Sequence, residues 1–473
     1  MNAVLLIIPI LLPIAAGLLA KRTADKKWII PVLILELVLV ILARLSNGAV
    51  SIPCIYGTKI VLTLDGLGSL FSILFSGMFL LAGIFGFEYL HEKIEIYYVF
   101  YLCTLGAMVG LCFAGNLLTY YMFYEIMTLC SFPLILHEGT EKSRRAAMKY
   151  LGYSLFGAAL ALFGFFVVYP STGGATFVPG GHLSGTAPKL ILAAALAMII
   201  GFGGKAGMIP LQDWLPTAHP EAPAPASAVL SGVITKSGVL GIIRVIYFLL
   251  GTEVLVHTFV QNVVLILALT TVFCGSMLAY KEKVLKKRLA YSTVSQVSYV
   301  IFGLMLFNSL GFSGAIMQAV FHAVSKVCLF LCAGAIICKT GKTRVEQMVG
   351  IGKVMPTTLV CFAFAGLSLV GIPPFSGFVS KWYLAEGSLT AYPALGWIGA
   401  AVLLVSALLT AGYLLGPVSK AFFYERDPEI PSEVHCGWYI TLPLIVLALG
   451  VLLFGIFPSG VYQFASGLAA GLM

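Results

Sequence analysis

The sequence predicts an all-α protein that crosses a membrane many times. Of its 473 residues, 60% are hydrophobic and only 10% are charged, and the mean hydropathy is +1.02, whereas soluble domains carry about 25% charged residues. Apolar stretches of about 20 residues, the length a helix needs to span a bilayer, recur from one end of the chain to the other. We therefore expect an integral membrane protein, to which the length rules for globular domains do not apply.

Fourteen apolar windows are each long enough to predict a spanning helix. They cover residues 3–20, 28–45, 66–87, 96–115, 117–137, 147–168, 188–211, 224–250, 257–279, 290–308, 313–338, 354–386, 394–419 and 437–458. The first window is not a cleavable signal, because its basic cluster at 21–27 follows the apolar stretch instead of preceding it.

Basic residues predict which side of the membrane each loop faces. If the cluster at 21–27 is cytoplasmic, six later loops lie on the same side: 88–95, 138–149, 212–223, 280–289, 339–353 and 420–436. Together these seven segments hold 20 of the 28 lysines and arginines, whereas the opposite loops hold only Lys59 and Lys189. This positive-inside bias predicts an inner (cytoplasmic) cell membrane and both termini outside. The net charge of +9 is thus a topology signal, and no basic run interleaved with aromatic residues indicates nucleic-acid binding.

Four lysines lie in windows that otherwise predict lipid-spanning helices: Lys205, Lys236, Lys326 and Lys381, with Glu125 as an acid in a similar position. A charge at the bilayer centre costs about 2.5 to 3.5 kcal/mol on insertion scales, so four cost on the order of 10 to 14 kcal/mol before any partner is counted. That rivals the net stability of an ordinary domain, roughly 5 to 15 kcal/mol. We therefore expect these residues to move charge, as protons or small cations.

Two glycine- and proline-rich segments interrupt the windows beside Lys205 and Lys381. The helix breakers are Gly204, Gly207, Pro210, Gly371, Pro373 and Pro374. They remove backbone hydrogen bonds, and non-helical backbone survives at membrane depth only where protein or water covers it. Broken helices beside a charge are typical of ion sites in transporters, although a kink that only shapes packing is the alternative.

Corresponding breaks in two halves of a chain indicate inverted repeats. We predict two inverted five-helix repeats, each with a discontinuous helix, at 96–250 and 257–423. Three helices in 1–95 precede them, and a fourteenth helix in 437–473 follows.

Between the breaks, Gln318, His322 and Lys326 occur at i, i+4 and i+8 and so share one helical face. A histidine one turn from a lysine with no nearby acid favours a proton relay over a core histidine. Glu125 is the acid deep in the fifth window, and it is predicted to be the electrostatic partner of Lys205.

Other polar residues leave alternatives open. Glu36 is equally compatible with a peripheral hydrogen-bonded acid and with a lateral proton branch. Arg244 lies nearer a helix end and is expected to snorkel as a structural residue. Tyr413 and Lys420 could extend a proton path or anchor the helix at the interface.

No metal, cofactor or redox centre is expected in the chain. Its ten cysteines fall mostly within apolar windows and form no Cys-x-x-Cys pair. The closest group, Cys328, Cys332 and Cys338, lacks metal-site spacing. Phosphate-loop and haem motifs are also absent from the sequence.

Five segments carry a family resemblance. They are LDGLGSLF from Leu64, KAGMIPLQDWLPTAHPEAPAPASAVLSGVITKSGVLGIIR from Lys205, KKRLAYSTVSQVSY from Lys286, HAVSKVCLFLCAG from His322 and GIPPFSGFVSKW from Gly371. They resemble the antiporter-like subunits of respiratory complex I, of Mrp-type sodium/proton antiporters and of energy-converting membrane-bound hydrogenases. The resemblance covers about residues 60–430.

The resemblance implies a proton-translocating subunit of a multisubunit ion-pumping complex. Glu125 and Lys205 would form a charge pair, and Lys236 would follow on the next helix. His322 and Lys326 would form the central relay, and Lys381 would be the terminal charge. The chain departs from the family at Val284, where many members have an acid; we expect Glu282 to substitute.

The implied partners are other antiporter-like and small membrane subunits, the lipid bilayer, and a hydrophilic redox arm with iron–sulfur subunits. A complex I-like or hydrogenase subunit and an Mrp-type antiporter subunit both remain open, as do a stand-alone solute carrier and a passive anchor. Sodium sites use oxygen ligands, so the lysine-rich pattern favours protons.

Overall fold

The computed structural model describes residues 2–46, 48–54, 57–391, 393–426, 428–430 and 434–473. The α-helices are α1 Asn2–Ala20, α2 Lys26–Ala43, α3 Gly66–Tyr89, α4 Ile94–Cys112, α5 Leu117–Leu136, α6 Glu141–Val168, α7 Lys189–Ala206, α8 Trp214–Glu221, α9 Ala224–Leu250, α10 Phe259–Lys281, α11 Leu285–Leu304, α12 Ser309–Thr340, α13 Pro356–Val370, α14 Ser376–Ala391, α15 Pro393–Phe423, α16 Trp438–Ile456 and α17 Ser459–Leu472. Helix α9 includes π-helical turns at Leu230–Ile234 and Arg244–Leu250. Strands β1 Val50–Pro53 and β2 Lys59–Leu62 form an antiparallel hairpin between α2 and α3.

The polytopic all-α architecture is confirmed. Ten helices within the described ranges are long and apolar enough to cross a membrane. The predicted windows at 28–45, 117–137, 290–308 and 354–386 are not among those ten. Most of their residues are helical, in α2, α5, α11 and the pair α13 and α14, but the break at 371–375 leaves α13 and α14 with only 15 and 16 residues.

The two most enclosed apolar helices are α9 and α12, whose membrane-length windows are 100% and 94% buried. Helices α1, α15 and α16 are instead only 39%, 33% and 33% buried, and they turn side chains such as Leu404 and Leu408 outward. A helix that is apolar all round is expected at the centre of a bundle. The centre of this bundle is therefore where Lys236 and Lys326 lie.

Both predicted helix breaks are present. Helix α7 ends at Gly207 with φ +88°, and α13 ends at Gly371 with φ +92°, a left-handed conformation that favours glycine. The amide of Met208 closes the first end by donating to the Gly203 carbonyl at 2.8 Å. Pro210 follows in the non-helical segment before α8, and Pro373 and Pro374 lie in the segment before α14.

Gly204 was wrongly predicted as part of the first break. It is helical, in the last turn of α7, and its carbonyl accepts a hydrogen bond from the Trp214 indole at 2.9 Å. A Cβ atom at Gly204 would come within 2.9 Å of the Leu211 side chain. Its small size therefore lets the segment after the break fold back onto α7.

Candidate functional site

Lys205 lies in the last turn of α7 and is 1% exposed. Its ammonium donates to three hydroxyls, Thr128 Oγ1 at 2.8 Å, Tyr150 OH at 2.9 Å and Ser154 Oγ at 2.9 Å. Its Nζ also lies 4.3 Å from the centre of the Tyr150 ring, a favourable cation–π position. An ammonium has three donors, so these hydroxyls satisfy it without an acid.

Glu125 lies half-buried on α5 and interacts electrostatically with Lys205 without a direct salt bridge between them in the described structure. Its carboxylate hydrogen-bonds with the Tyr121 side chain and interacts with Lys205 at longer range. Sequence reasoning missed the hydroxyls that take its place. The available signal was the spacing of Tyr150 and Ser154, which are four apart and so share a face of α6.

Lys236 and His322 meet at the centre of the molecule. Both are buried, and Lys236 Nζ lies 2.6 Å from His322 Nδ1. Lys236 also donates to the Ser231 carbonyl at 2.7 Å. His322 Nε2 has no hydrogen-bond partner within the described structure. The imidazole ring therefore contacts Lys236 through Nδ1, and its Nε2 is available for a further partner.

This contact constrains the protons that the pair can hold. An ammonium has no acceptor, and a doubly protonated imidazole has none either. A Lys236–His322 hydrogen bond is therefore incompatible with an ammonium facing an imidazolium, whereas it can form when both groups are neutral or when one of them is protonated. The pair can hold at most one excess proton across this single short contact.

Lys326 and Lys381 are held by backbone carbonyls. Lys326 lies one turn from His322 on α12 and donates to the Leu289 carbonyl at 3.0 Å. Lys381 donates to the Leu369 carbonyl and, at 3.2 Å, to that of Val370. These are the last carbonyls of α13, where the helix dipole favours a cation, so the second break creates the place that Lys381 occupies.

Gln318, the third member of the predicted stripe, links the relay to α14. It donates to Gln296 Oε1 at 3.0 Å and accepts from Ser380 Oγ at 2.7 Å. Ser380 immediately precedes Lys381. His322 itself interacts electrostatically with Lys236, Lys326 and Lys381. The stripe is therefore buried at the point where α9, α11, α12 and α14 come together.

Two further basic residues were missed by sequence reasoning. His219, on α8, is buried, stacks on Phe330 with ring centres 4.7 Å apart, and has no hydrogen-bond partner on either nitrogen within the described ranges. Lys286 is buried at the start of α11 and donates to the Ala222 carbonyl at 2.7 Å. His219 interacts electrostatically with Lys236, Lys286 and Lys326. The signal for His219 was its position in the proline-rich segment that follows the first break.

Arg244 does not snorkel to water as expected. It is 2% exposed and forms a two-point ion pair with Asp65, the residue that caps the N-terminus of α3. Its guanidinium also lies 4.5 Å from the centre of the Phe248 ring. The pair ties α3 to the π-helical end of α9.

Glu36 and Glu282 have different surroundings. Glu36 is buried, and neither carboxylate oxygen has a hydrogen-bond partner in the described part of the chain, so it is not a hydrogen-bonded acid at the periphery.

Glu282 accepts from the Val284 amide at 3.0 Å and pairs with Lys287 at 3.1 Å. Burial opposes these contacts, but together they hold the pKa of Glu282 below its usual value. Glu282 thus supplies the negative charge before α11.

Tyr413 and Lys420 lie apart from the central relay. Tyr413 is buried and donates to Ser292 Oγ at 2.7 Å. Lys420 is exposed near the end of α15. Among the described residues, no group of three or more His, Cys, Asp or Glu side chains is arranged to hold a metal ion.

Comparison with known proteins places the chain in a family. The model described as NADH:quinone oxidoreductase/Mrp antiporter, TM, matches residues 114–410. The chain is 33% identical to NADH-quinone oxidoreductase subunit N of Desulforudis audaxviator, over 78% of this chain and 76% of the relative. It is 31% identical to a Na(+)/H(+) antiporter subunit of Alkalihalophilus pseudofirmus, over 87% of this chain and 83% of the relative.

Solved structures share the fold. A chain of the Mrp complex from Dietzia sp. superposes with a TM-score of 0.87 at 23% identity, covering 100% of this chain and 97% of that one. A chain of the membrane-bound sulfane sulfur reductase, an archaeal respiratory membrane complex, gives 0.85 at 22% identity, covering 100% and 99%. The chain therefore belongs to the transmembrane family shared by NADH:quinone oxidoreductases and Mrp antiporters.

Proposed function

We propose that this chain is the proton-translocating, antiporter-like membrane subunit of a multisubunit ion-pumping complex. Protons move along a buried axis, which we define as Glu125, Lys205, Lys236, His322, Lys326 and Lys381. The observation that carries this proposal is the 2.6 Å contact between Lys236 and His322. Two buried bases in direct contact, which can hold at most one excess proton between them, provide a transfer step at the centre of the molecule, and a structural scaffold would not need such a pair.

Glu125 is the switch in this mechanism. The hydroxyls of Thr128, Tyr150 and Ser154 hold the Lys205 ammonium while Glu125 bonds to Tyr121. Movement of Glu125 toward Lys205 would retain the proton there, and its withdrawal would release the proton toward Lys236. His322 then passes it on to Lys326, and Lys381 releases it.

The energies are compatible with this mechanism. Moving one charge against 100 mV takes about 2.3 kcal/mol, so about 150 to 200 mV requires roughly 3.5 to 4.6 kcal/mol. Burial and a moved counter-charge can shift the pKa of a buried group by up to about 3 to 5 units, and one unit corresponds to about 1.36 kcal/mol. A rearrangement of Glu125 can therefore couple the movement of one proton to the reaction or gradient that drives it.

Three architectural features belong to the proposal. The chain has fourteen spanning helices, both termini lie outside, and it resides in the cytoplasmic membrane; the distribution of 20 basic residues against two supports this orientation. Residues 96–250 and 257–423 are inverted repeats, which the glycine-ended helices α7 and α13 support. Its partners are other membrane subunits of the complex and a hydrophilic redox arm with iron–sulfur subunits.

A second candidate is an Mrp-type sodium/proton antiporter subunit. The 31% identity to the Na(+)/H(+) antiporter subunit of Alkalihalophilus pseudofirmus favours it. The two candidates differ in what drives the protons, since one uses a redox reaction and the other uses a sodium gradient. Purification of the intact complex separates them, because iron–sulfur subunits accompany the chain in the first case and only membrane subunits in the second.

Substitution tests the axis directly. In the purified complex, reconstituted in vesicles with a pH-sensitive dye inside, His322→Gln retains an acceptor for Lys236 but cannot take up a proton. We expect it to abolish proton translocation, as should neutral replacements of Lys205 or Glu125, with assembly intact. Translocation at the wild-type rate in these variants would refute the proposal.

A further inference from the structure

A cavity of about 370 Å³ lies at the ends of α10, α11 and α15, away from the buried axis. Its lining includes Tyr280, Lys283, Arg288, Tyr413 and Lys420. It opens beside the 282–284 and 341–355 loops, the side that we propose faces the cytoplasm. Tyr413 is the lining residue whose hydroxyl turns into the protein interior, where it donates to Ser292.

From this cavity, hydroxyl side chains follow two helices into the membrane. They lie at i, i+3 and i+7 on α11 and at i, i+4 and i+7 on α15, so each set forms a stripe on one helical face. The set, with one member from α10, comprises Ser292, Ser295, Tyr299, Ser406, Thr410, Tyr413 and Ser276. We call these seven residues the hydroxyl ladder, and all seven are buried.

The ladder is joined by bonds between helices. At its outer end, Tyr413 donates to Ser292 Oγ at 2.7 Å, and Thr410 lies beside Tyr413 and donates to the Ser406 carbonyl at 2.7 Å. One helical turn deeper, Ser276 Oγ lies 2.6 Å from Ser406 Oγ and 2.8 Å from Ser295 Oγ.

The inner end of the ladder reaches the axis. The Tyr299 hydroxyl donates to the Leu403 carbonyl of α15 at 3.0 Å, one turn from Ser406, whose side chain lies close to it. Lys381 Nζ lies 5.0 Å from the centre of the Tyr299 ring. Tyr299 lies deep within the spanning part of α11. It is 14 residues from Leu285, where the helix begins, and this separation is about 21 Å at 1.5 Å per residue.

We infer that the hydroxyl ladder is a second proton path, which connects the cavity to Lys381, and that charge movement along the axis is needed to drive the proton off Lys381. A proton from water in the cavity binds a lone pair of the Tyr413 hydroxyl, and each hydroxyl passes its own proton inward. A water molecule spans the one-turn step between Thr410 and Ser406. The last transfer converts the Lys381 amine to an ammonium, and no electron moves. This inference rests on the proposed function, and it supplies the terminal lysine with its own route to the cytoplasmic side.

Hydroxyls in membrane helices often only bond to their own backbone or hold helices together. Ser298 is such a residue, since it is buried on α11 and donates to the Val294 carbonyl of the same helix at 3.0 Å. The ladder differs because its side chains are also joined between helices, Tyr413 to Ser292 and Ser276 to both Ser295 and Ser406, whereas Ser298, among the described residues, bonds only to its own helix. Ser298 therefore provides a matched control on the same helix.

The test uses the purified complex in vesicles that contain a pH-sensitive dye. Tyr299→Phe, Ser406→Ala and Tyr413→Phe are each expected to slow proton translocation at least tenfold and to raise its solvent deuterium isotope effect, while Ser298→Ala retains the wild-type rate. If Ser406→Ala fails to assemble, Ser406→Thr should restore both assembly and rate because it retains the hydroxyl. Ladder variants that translocate like Ser298→Ala, or that lose only thermal stability, would overturn the inference.

A separate variant distinguishes failure of the ladder from failure of the proposed function. Lys236→Met interrupts the axis but leaves every ladder bond in place. If it abolishes translocation while the ladder variants are normal, the axis stands and the ladder is wrong. If the Lys236→Met variant also translocates protons normally, the proposed function itself is wrong, and so is the ladder inference that rests on it.

Discussion

The lysines of the axis, of which Lys205, Lys236 and Lys326 are buried and Lys381 is partly buried, are stabilised by neutral acceptors in place of acids. Lys205 has three hydroxyls, Lys236 has an imidazole and a carbonyl, and Lys326 and Lys381 have helix carbonyls. A neutral acceptor compensates part of the desolvation cost without fixing the proton as firmly as a carboxylate would. Neutral acceptors therefore suit lysines that must release their proton during translocation.

The hydroxyls around Lys205 lead to a prediction at the residue scale. Tyr150→Phe removes an acceptor from Lys205 and leaves Ser131, 2.6 Å from the tyrosine oxygen, without that partner. Loss of one partner of a buried hydrogen bond costs about 1 to 3 kcal/mol, and about 1.4 kcal/mol corresponds to tenfold in rate. We expect proton translocation to fall about tenfold in vesicles and the melting temperature to decrease.

Tyr153→Phe is the control for that measurement. Tyr153 is on the same helix, half-buried, and forms no hydrogen bond through its hydroxyl in the described structure. It should behave as wild type in both assays. Equal effects of the two substitutions would show that the Lys205 hydroxyls have no specific role.

The positions of the charged residues followed from the sequence, but their partners did not. Lys205, Lys236, Lys326 and Lys381 stand out because a charge in an apolar window is rare. The spacing of Tyr150 and Ser154 puts them on one face of α6, but hydroxyl residues are common in membrane helices, and only the packing of α5, α6 and α7 brings these two and Thr128 to Lys205. Glu125 was predicted as the electrostatic partner of Lys205, and it does interact with the lysine, but the direct hydrogen-bond partners of Lys205 are the three hydroxyls.

At the scale of helices, Asp65 and Arg244 fix α3 against α9, the helix that carries Lys236. Asp65→Asn would leave the Arg244 charge buried without its counter-charge. Breaking a buried pair costs about 3 to 5 kcal/mol, and the 34% exposure of Asp65 favours the lower end. We expect a marked fall in the thermal unfolding temperature of the purified complex.

Glu141→Gln is the matched change at an exposed site. Glu141 pairs with Arg144 and Arg145 where all three side chains are more than half exposed. Surface pairs contribute little to stability, so the unfolding temperature should not change. A similar shift in both variants would mean that the Asp65–Arg244 pair does not hold α3 to α9.

The contact across the second break predicts opposite effects for two glycine substitutions. A Cβ atom at Gly377 would lie 1.8 Å from the Ser368 carbonyl oxygen, whereas one at Gly77, in α3, would meet nothing within 4 Å. Gly377→Ala should therefore destabilise the protein by about 1 to 3 kcal/mol or more. Gly77→Ala should be neutral or stabilising by up to about 1 kcal/mol, because alanine favours helix. Thermal unfolding of both variants measures the difference in sign.

The helix breaks were predictable, but their exact starts were not. Four glycines near Lys205 made any of several positions a possible helix end. The helix continues through Gly204 because Trp214 bonds to its carbonyl and Leu211 packs on it. Both contacts come from residues beyond the break, which no local pattern around Gly204 could reveal.

For the whole molecule, composition was enough to predict an all-α membrane bundle, since 60% hydrophobic residues leave few other folds. It did not predict which helices are central. Only packing distinguishes α9 and α12, which are enclosed, from α15 and α16, which turn most of their surface outward. The axis and the hydroxyl ladder both depend on that arrangement.

The proposed orientation can be tested with one natural cysteine and one introduced cysteine. Cys54 is an exposed free thiol after β1, on the side that we propose is outside. Glu346 is exposed in the loop between α12 and α13, on the proposed cytoplasmic side. A membrane-impermeant maleimide should label Cys54 in intact cells and should label Glu346→Cys, in a Cys54→Ser background, only after the cells are permeabilised. Labelling in the reverse order would invert the topology, and the hydroxyl ladder would then draw protons from the outside.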